Sequence, residues 1–264
     1  MKLDIITKQV VNLSKAVGHT IKSESKKFTE SDIESKGLHD LVTYVDKQSE
    51  KIIVQELGVL LPEAGFIAEE DSTLKTKEKY NWVIDPLDGT TNFIHGLPPY
   101  AISIALLDGE EPIIGVIYEI NLGECFYAWK GGPAYLNGKE IQVSKTMELN
   151  NSLIATGFPY YDYTKLPQYM NLLSDLMKST RGIRRLGSAA TDMAYVACGR
   201  FDVFYEYGLN SWDIAAGIII VRQAGGIITD FQGGNDFLFG KEIIASNGTT
   251  HKEMANKIAN FFQE

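Results

Sequence analysis

The sequence predicts an α/β protein built from alternating layers of helices and sheets, and three observations carry that reading. Strand-like runs cluster between Gly65 and Gly132, strands alternate with helices from Ser152 onward, and the chain opens with an amphipathic helical pattern. Leu3, Ile6, Val10, Leu13 and Val17 recur at helical spacing, so the first helix lies there with its apolar stripe on the core. The polar stretch KSESKKFTESDIESKG that follows is expected to be an exposed, mobile connection. A second helix should start near Asp46, run through KQSEKIIVQELGVLL and stop at Pro62. That places Asp46 close to a helix N-terminus.

Five strand-like runs come next: GFIAEE, NWVIDP, YAISIALLDG, EPIIGVIYEI and ECFYAWKGG. Turn signals at Asp108-Gly109, Asn121-Leu122-Gly123 and Asn137-Gly138 punctuate them, so an antiparallel sheet is expected in the first half. The second half reads as strand SLIATGF, helix LPQYMNLLSDLMKS, strand GIRRLG, helix AATDMAYVACG, strand FDVFYEYG and helix SWDIAAGIIIVRQAGG. Strands GIITD and EIIASN and a helix to Phe262 complete it. No linker composition separates the halves. Residues 1–264 are therefore expected to form one domain, softly divided near residue 150 into an α+β half and an α/β half.

Of the 264 residues, 44% are hydrophobic, which is ample for a large core. A formal net charge of −9 opposes non-specific binding to nucleic acid or anionic lipid and favours a small-molecule partner. Cys125 and Cys198, the two cysteines, are far apart and lack metal-ligand spacing, which points to a cytoplasmic protein without disulfides. The N-terminal pattern is interrupted by Asp4, Lys8, Gln9, Asn12 and Lys15, unlike a signal peptide. AAGIIIV is far too short to span a bilayer. The chain reads as mature and soluble.

The chemistry concentrates in NWVIDPLDGTTNF. A strand delivers Asp85 to its end, Pro86 fixes a turn, and Asp88 returns a second carboxylate within reach of the first. Turn propensity alone explains every residue up to Gly89, so this segment by itself leaves a turn and a metal site equally open. A second acidic strand end, FIAEEDS, brings Glu69, Glu70 and Asp71; alone it would be a solvated acidic loop. Asp213 begins an otherwise apolar helix, where capping and metal ligation are compatible roles. Gathered carboxylates raise one another's pKa values unless cations neutralise them. The donors are hard oxygens and His19, His39, His95 and His251 are scattered, so magnesium fits best and manganese is an alternative. His95 is expected to pack or cap locally. Gly89-Thr90-Thr91-Asn92 can open a short helix whose N–H groups seat a phosphate. Thr90 could orient a water whose proton goes to Asp46.

These pieces resemble the inositol monophosphatase family, within the lithium-sensitive, magnesium-dependent phosphatase superfamily that includes fructose-1,6-bisphosphatases. WVIDPLDGTTNF and WDIAAGIIIVRQAGG look like the two family motifs, and DLVTYVD, FIAEE and GIRRLGSAATDMAYVACGRFDVFYEYG extend the match in order over most of the chain. The resemblance implies a fructose-1,6-bisphosphatase-like αβαβα sandwich and a homodimer. It also implies hydrolysis of a phosphate monoester, myo-inositol 1-phosphate before others, by direct attack of a metal-activated water. By matching position, Glu69, Asp85 and the Leu87 carbonyl would hold one magnesium ion, and Asp85, Asp88 and Asp213 a second. A third, looser ion would use Glu69. Asp46 with Thr90 matches the water-activating pair, Glu70 supports the site, and Gly89 with Thr90 matches the phosphate-binding amides. Asp88, Gly187, Ser188, Ala189, Glu206 and Asp213 match positions that contact the inositol ring.

Ala68 departs from the family's glycine before the Glu-Glu pair, and Lys36 falls about one residue out of register, so it receives no role. Tyr160, Tyr161 and Tyr163 are unusual, and loop packing is expected of them. Thr91-Asn92 before Phe93 favours an inositol monophosphatase over relatives acting on nucleotide 3′-phosphates or histidinol phosphate. Fructose-1,6-bisphosphatase or broad sugar and nucleotide phosphatase activity is the nearest alternative. A scaffold that binds the transcription machinery is the alternative of another class. The apolar strands AISIALL and PIIGVIY could be buried within the fold or at a dimer interface.

Overall fold

The computed structural model describes residues 1–27, 33–35, 41–71, 73–159 and 162–262. Lys36, His39, Asp40, Tyr160 and Tyr161, and most of the polar connection after the first helix, lie outside the described residues.

Helix α1 spans Leu3–Glu24, about two turns beyond Val17, because Ile21 continues the buried series of Val10 and Val17. Strands β1 (Ile33–Ser35) and β2 (Leu41–Thr43) pair antiparallel, a ribbon too short to leave a period in the sequence. Helix α2 (Tyr44–Leu60) starts after Thr43, whose hydroxyl accepts the Val45 N–H at 3.1 Å while Asp46 accepts the Thr43 N–H at 2.9 Å.

A seven-stranded sheet follows in the order β3 (Gly65–Ala68), β4 (Tyr80–Asp88), β5 (Ala101–Asp108), β6 (Glu111–Glu119), β7 (Glu124–Trp129), β8 (Ala134–Leu136), β9 (Lys139–Ile141). It is antiparallel except that β3 runs parallel to β4, a departure from the all-antiparallel expectation. The β8–β9 hairpin was signalled only by its Asn137-Gly138 turn. Short helix α3 (Thr90–Ile94) lies between β4 and β5, and exposed His95 caps its C-terminus.

The second half supplies a five-stranded sheet, β11 (Gly182–Arg184), β10 (Leu153–Thr156), β12 (Val203–Tyr207), β14 (Glu242–Ser246), β13 (Ile227–Thr229). Helices α4 (Leu166–Ser179), α5 (Ala189–Ala197), α6 (Ser211–Gln223) and α7 (His251–Phe261) accompany it.

Strand alternation sorts these elements into layers. Trp82 and Ile84 of β4 face α1 and α2 in one core with Val10, Ile21, Ile53 and Leu57, whereas Val83 between them faces α5 and α6. That second core also takes Phe204 and Ala245 from the other sheet, so α5 and α6 are packed between the two sheets. Ile154, Val203 and Ile244 point away from them, into a third core with α4 and α7. The order is helix, sheet, helix, sheet, helix. Gly115 of β6 lets α6 lie this close, since any side chain there would run into the Ala216 carbonyl. The strands AISIALL and PIIGVIY are buried within this arrangement.

Candidate active site

Asp85 and Asp88 lie on a β-bulge rather than on a turn. Strand β4 pairs Asp85 with Ser103 and Asp88 with Ala101, and the register shifts between them at Pro86-Leu87. Proline is tolerated there because a bulge omits a ladder bond, and the added twist re-aims the side chains around it. Leu87 is fully buried and its N–H donates to Asp85 Oδ1 at 2.9 Å, so the bulge is anchored on both sides.

Asp85 is 2% exposed. Burial drives its carboxyl well above the usual range, and Glu69, Asp88 and Asp213 add repulsion. Glu69, arriving at the end of β3, is in hydrogen-bonding contact with it. Asp88 is pushed up to about 6 by burial, opposed by hydrogen bonds from Ser188 Oγ at 2.6 Å and the Ala190 N–H at 2.8 Å. Asp213 is pushed up to about 7 by burial and by Asp88, while it accepts the Asn210 N–H at 2.7 Å at the start of α6.

Among the described residues no three His, Cys, Asp or Glu side chains already converge in ligand geometry. The donor set itself fits a hard divalent cation: carboxylates and the Leu87 carbonyl are all oxygen donors, in a cluster that burial and repulsion push toward protonation.

Across the bulge, Thr90 links the cluster to α2. Its hydroxyl lies 3.2 Å from Asp46 Oδ1 and 3.0 Å from the Leu87 carbonyl. Asp46 is fully buried; its other oxygen takes the Thr43 N–H and the Thr43 hydroxyl at 2.5 Å. Burial raises its pKa against those bonds. The pairing of residues 46 and 90, which spacing could not demonstrate, is thus a contact in the fold. Gly89 holds φ of +93° ahead of α3, and the helical ladder begins with the Phe93 N–H on the Gly89 carbonyl. The N–H groups before it belong to the unladdered first turn.

One pocket is lined by Glu69, Asp88, Gly89, Thr90, Gly187, Ser188, Ala189, Glu206 and Asp213 together, so the two acidic strand ends and the second-half residues share a cavity. Asn92 fastens them, donating to the carbonyls of Pro99 and Leu186, each at 2.8 Å. Glu206 closes the far side on β12, its carboxyl raised well above normal by burial and then by Asp213. It lies against Gly157, where any Cβ would overlap the carboxylate.

Glu70 does not line this pocket; its N–H donates to Glu50 Oε2 at 2.9 Å. Glu50, 3% exposed on α2 with its carboxyl pushed up to about 7 mainly by burial, escaped the sequence reading because a Glu in an amphipathic helix looks like a surface charge. Arg185, Asp192 and Gly157 also line the pocket and were missed. The only prior signal was their position beside the strand ends that carry Gly187 and Glu206.

The model of the inositol monophosphatase family matches residues 2–264. The chain belongs to that family. It is 42% identical over 227 residues, 86% of this chain and 87% of the relative, to a Neisseria meningitidis protein named a putative Nus factor SuhB. It is 35% identical over 250 residues, 94% of each, to an inositol-1-monophosphatase of Mesorhizobium japonicum. The crystal structure of the extragenic suppressor protein suhB of Bartonella henselae superposes with a TM-score of 0.90 at 38% identity, covering 94% of this chain and 96% of the other. Family membership supports phosphatase chemistry and agrees with the layered α/β fold.

Proposed function

We propose that this chain is a magnesium-dependent phosphate monoester hydrolase acting on myo-inositol 1-phosphate or a close polyol ester. One observation carries the proposal: Glu69, Asp88 and Asp213 line one pocket with Thr90 and Glu206, while buried Asp85 repels all three acids and Asp46 contacts Thr90. Glu69, Asp85, Asp88, Asp213 and the Leu87 carbonyl would hold two or three magnesium ions, with manganese able to substitute. Bound there, magnesium supplies Lewis acidity for the attacking water and the departing oxygen.

The chain's own residues do the rest. Asp46, through Thr90, accepts the proton of the attacking water, and its buried, hydrogen-bonded setting fixes the direction of transfer. Gly89 and Thr90 N–H groups receive the phosphoryl oxygens. Glu206, with Asp88, Asp213 and the Gly187–Ala189 turn, receives the hydroxyls of the leaving alcohol. Glu70, held by Glu50, supports the strand end that carries Glu69.

The test is phosphate release from myo-inositol 1-phosphate, fructose 1,6-bisphosphate, adenosine 3′,5′-bisphosphate and histidinol phosphate, with magnesium and with chelator. Magnesium-dependent turnover led by the inositol ester supports the reading. Preference for fructose 1,6-bisphosphate or a broad profile keeps the mechanism and changes the substrate. Silence on all four with magnesium bound overturns it.

The 42% identical relative named a Nus factor favours a second reading, a scaffold for the transcription machinery. Complex formation that survives Asp85→Asn and fails in surface variants would support it. A homodimer, a cytoplasmic location and a single domain over residues 1–264 belong with the main reading. The α5–α6 layer packed on both sheets supports the last. Net charge of −9 opposes nucleic acid and membrane partners. No helix among the described residues is long and apolar enough to cross a membrane.

A further inference from the structure

The far wall of the pocket carries a carboxylate to which the functional reading gives no task. Asp192 sits one turn into α5, is 1% exposed, and lines the pocket beside Glu206 and Arg185. Its Oδ1 is buried and makes no hydrogen bond.

Other buried aspartates in this chain show what a purely structural carboxylate looks like. Asp202 takes the Ser144 hydroxyl and the Leu153 N–H, and Asp230 takes the N–H groups of Gln232, Gly234 and Asp236. Each is saturated by the loop it organises. Asp192 shows no such saturation: its Oδ1 is buried without a partner in a residue that lines the pocket, and a buried polar atom without a partner is costly to keep. The charges around it are Glu206 and Asp88, which repel it, and Arg185, which attracts it.

We propose that Asp192 is a second hydroxyl-recognising residue beside Glu206, so that the pocket selects a neutral polyol as the leaving group. This rests on the phosphatase reading for which side the leaving group occupies. A carboxyl accepts a hydrogen bond from an alcohol whether or not it carries a proton. Two adjacent carboxyls therefore match a leaving group with at least two hydroxyls. The same pair disfavours a leaving group carrying a second phosphate, since on the side away from the metal ligands two carboxyls would face it and the charge of Arg185 is already directed at Asp192, Glu206 and Asp88. The selected class is a polyol monophosphate over both a plain aryl phosphate and a bisphosphate.

The experiment compares wild type with Asp192→Ala and Asp192→Ser, each checked by thermal melting, on three esters with magnesium. For myo-inositol 1-phosphate, KM should rise about tenfold, the size of one lost hydrogen bond to a charged group, with kcat within about twofold. Phenyl phosphate, whose leaving group offers no further hydroxyl, should keep its KM. For fructose 1,6-bisphosphate, KM should fall, a gain that loosened packing would not produce. Equal losses on all three esters, or no change on any, overturn the proposal.

Saturation-transfer NMR of free myo-inositol gives a readout without turnover, with contact expected in wild type and lost in both variants. If wild type hydrolyses no ester, the phosphatase reading falls and the NMR comparison still decides on Asp192. Absence of contact in wild type, or equal contact in the variants, overturns the proposal.

Discussion

Asp46 and Asp213 occupy the same local position in two different helices, and their surroundings differ in kind. Each is the third residue of its helix and each accepts the N–H of the residue that caps it, Thr43 for α2 and Asn210 for α6. This capping arrangement fixes a carboxylate at the positive end of a helix dipole. Asp46 then adds two hydroxyl partners, Thr43 and Thr90. Asp213 instead meets Asp88, which pushes its pKa further up. Identical scaffolding thus yields one carboxylate surrounded by donors, suited to handling a proton, and one facing other acids, suited to sharing a cation.

The largest test of that contrast removes an acid from the cluster. Asp213→Asn and Asp85→Asn should each abolish nearly all magnesium-dependent phosphate release. In chelator they should not destabilise the fold as a lost ion pair would, because each relieves repulsion. A carboxyl whose pKa is raised by folding contributes stability that is present below its unfolded value and lost as pH rises through its folded one. For Asp213 that window runs from 3.8 to about 7. Metal-free protein should therefore melt lower at pH 8 than at pH 5, at about 2–4 °C per kcal/mol lost. Asp213→Asn should flatten that slope, and added magnesium should reverse it in wild type alone.

Next in size, Asp46→Asn should lower kcat by about 10²–10⁴-fold, the range of general-base catalysis, while magnesium affinity measured by calorimetry stays near wild type. A large loss of metal affinity would erase the proposed division of labour. Thr90→Val should cost about 10–100-fold in kcat, the range of lost orienting partners, with Thr90→Ser restoring most of it. The smallest effect is expected at the caps. Thr43→Ala and Asn210→Ala should each cost about 1 kcal/mol of stability by denaturant unfolding. Only Thr43→Ala also removes a donor from Asp46, so it alone should shift the acidic limb of the pH–rate profile.

Most of the layered fold was legible because period and length sort long elements cleanly. The helix over Leu166–Ser179 and the strands from Ala101 to Trp129 needed no tertiary information. What escaped was set by pairing. The sequence of β3 cannot say that it will run parallel to β4, and three-residue strands such as β8 and β9 carry no period.

In the candidate site, acids at strand ends announced themselves because a carboxylate after an apolar run has little structural excuse. Glu50 and Asp192 did not, since a charged residue within a helix is ordinary until the fold buries it. Asp85-Pro86-Leu87-Asp88 read as a turn for a related reason: a bulge and a turn use the same residues, and only the partner strand distinguishes them.

The two sides of the pocket hang from different sheets. Asp85 and Asp88 come from the seven-stranded sheet and Glu206 from the five-stranded one, with α6 wedged between. A molecule that touches both sides is therefore also a rivet, resisting any sliding of one layer over the next. Occupancy of this one pocket should be felt throughout the sandwich, as slower amide exchange along the buried length of α6.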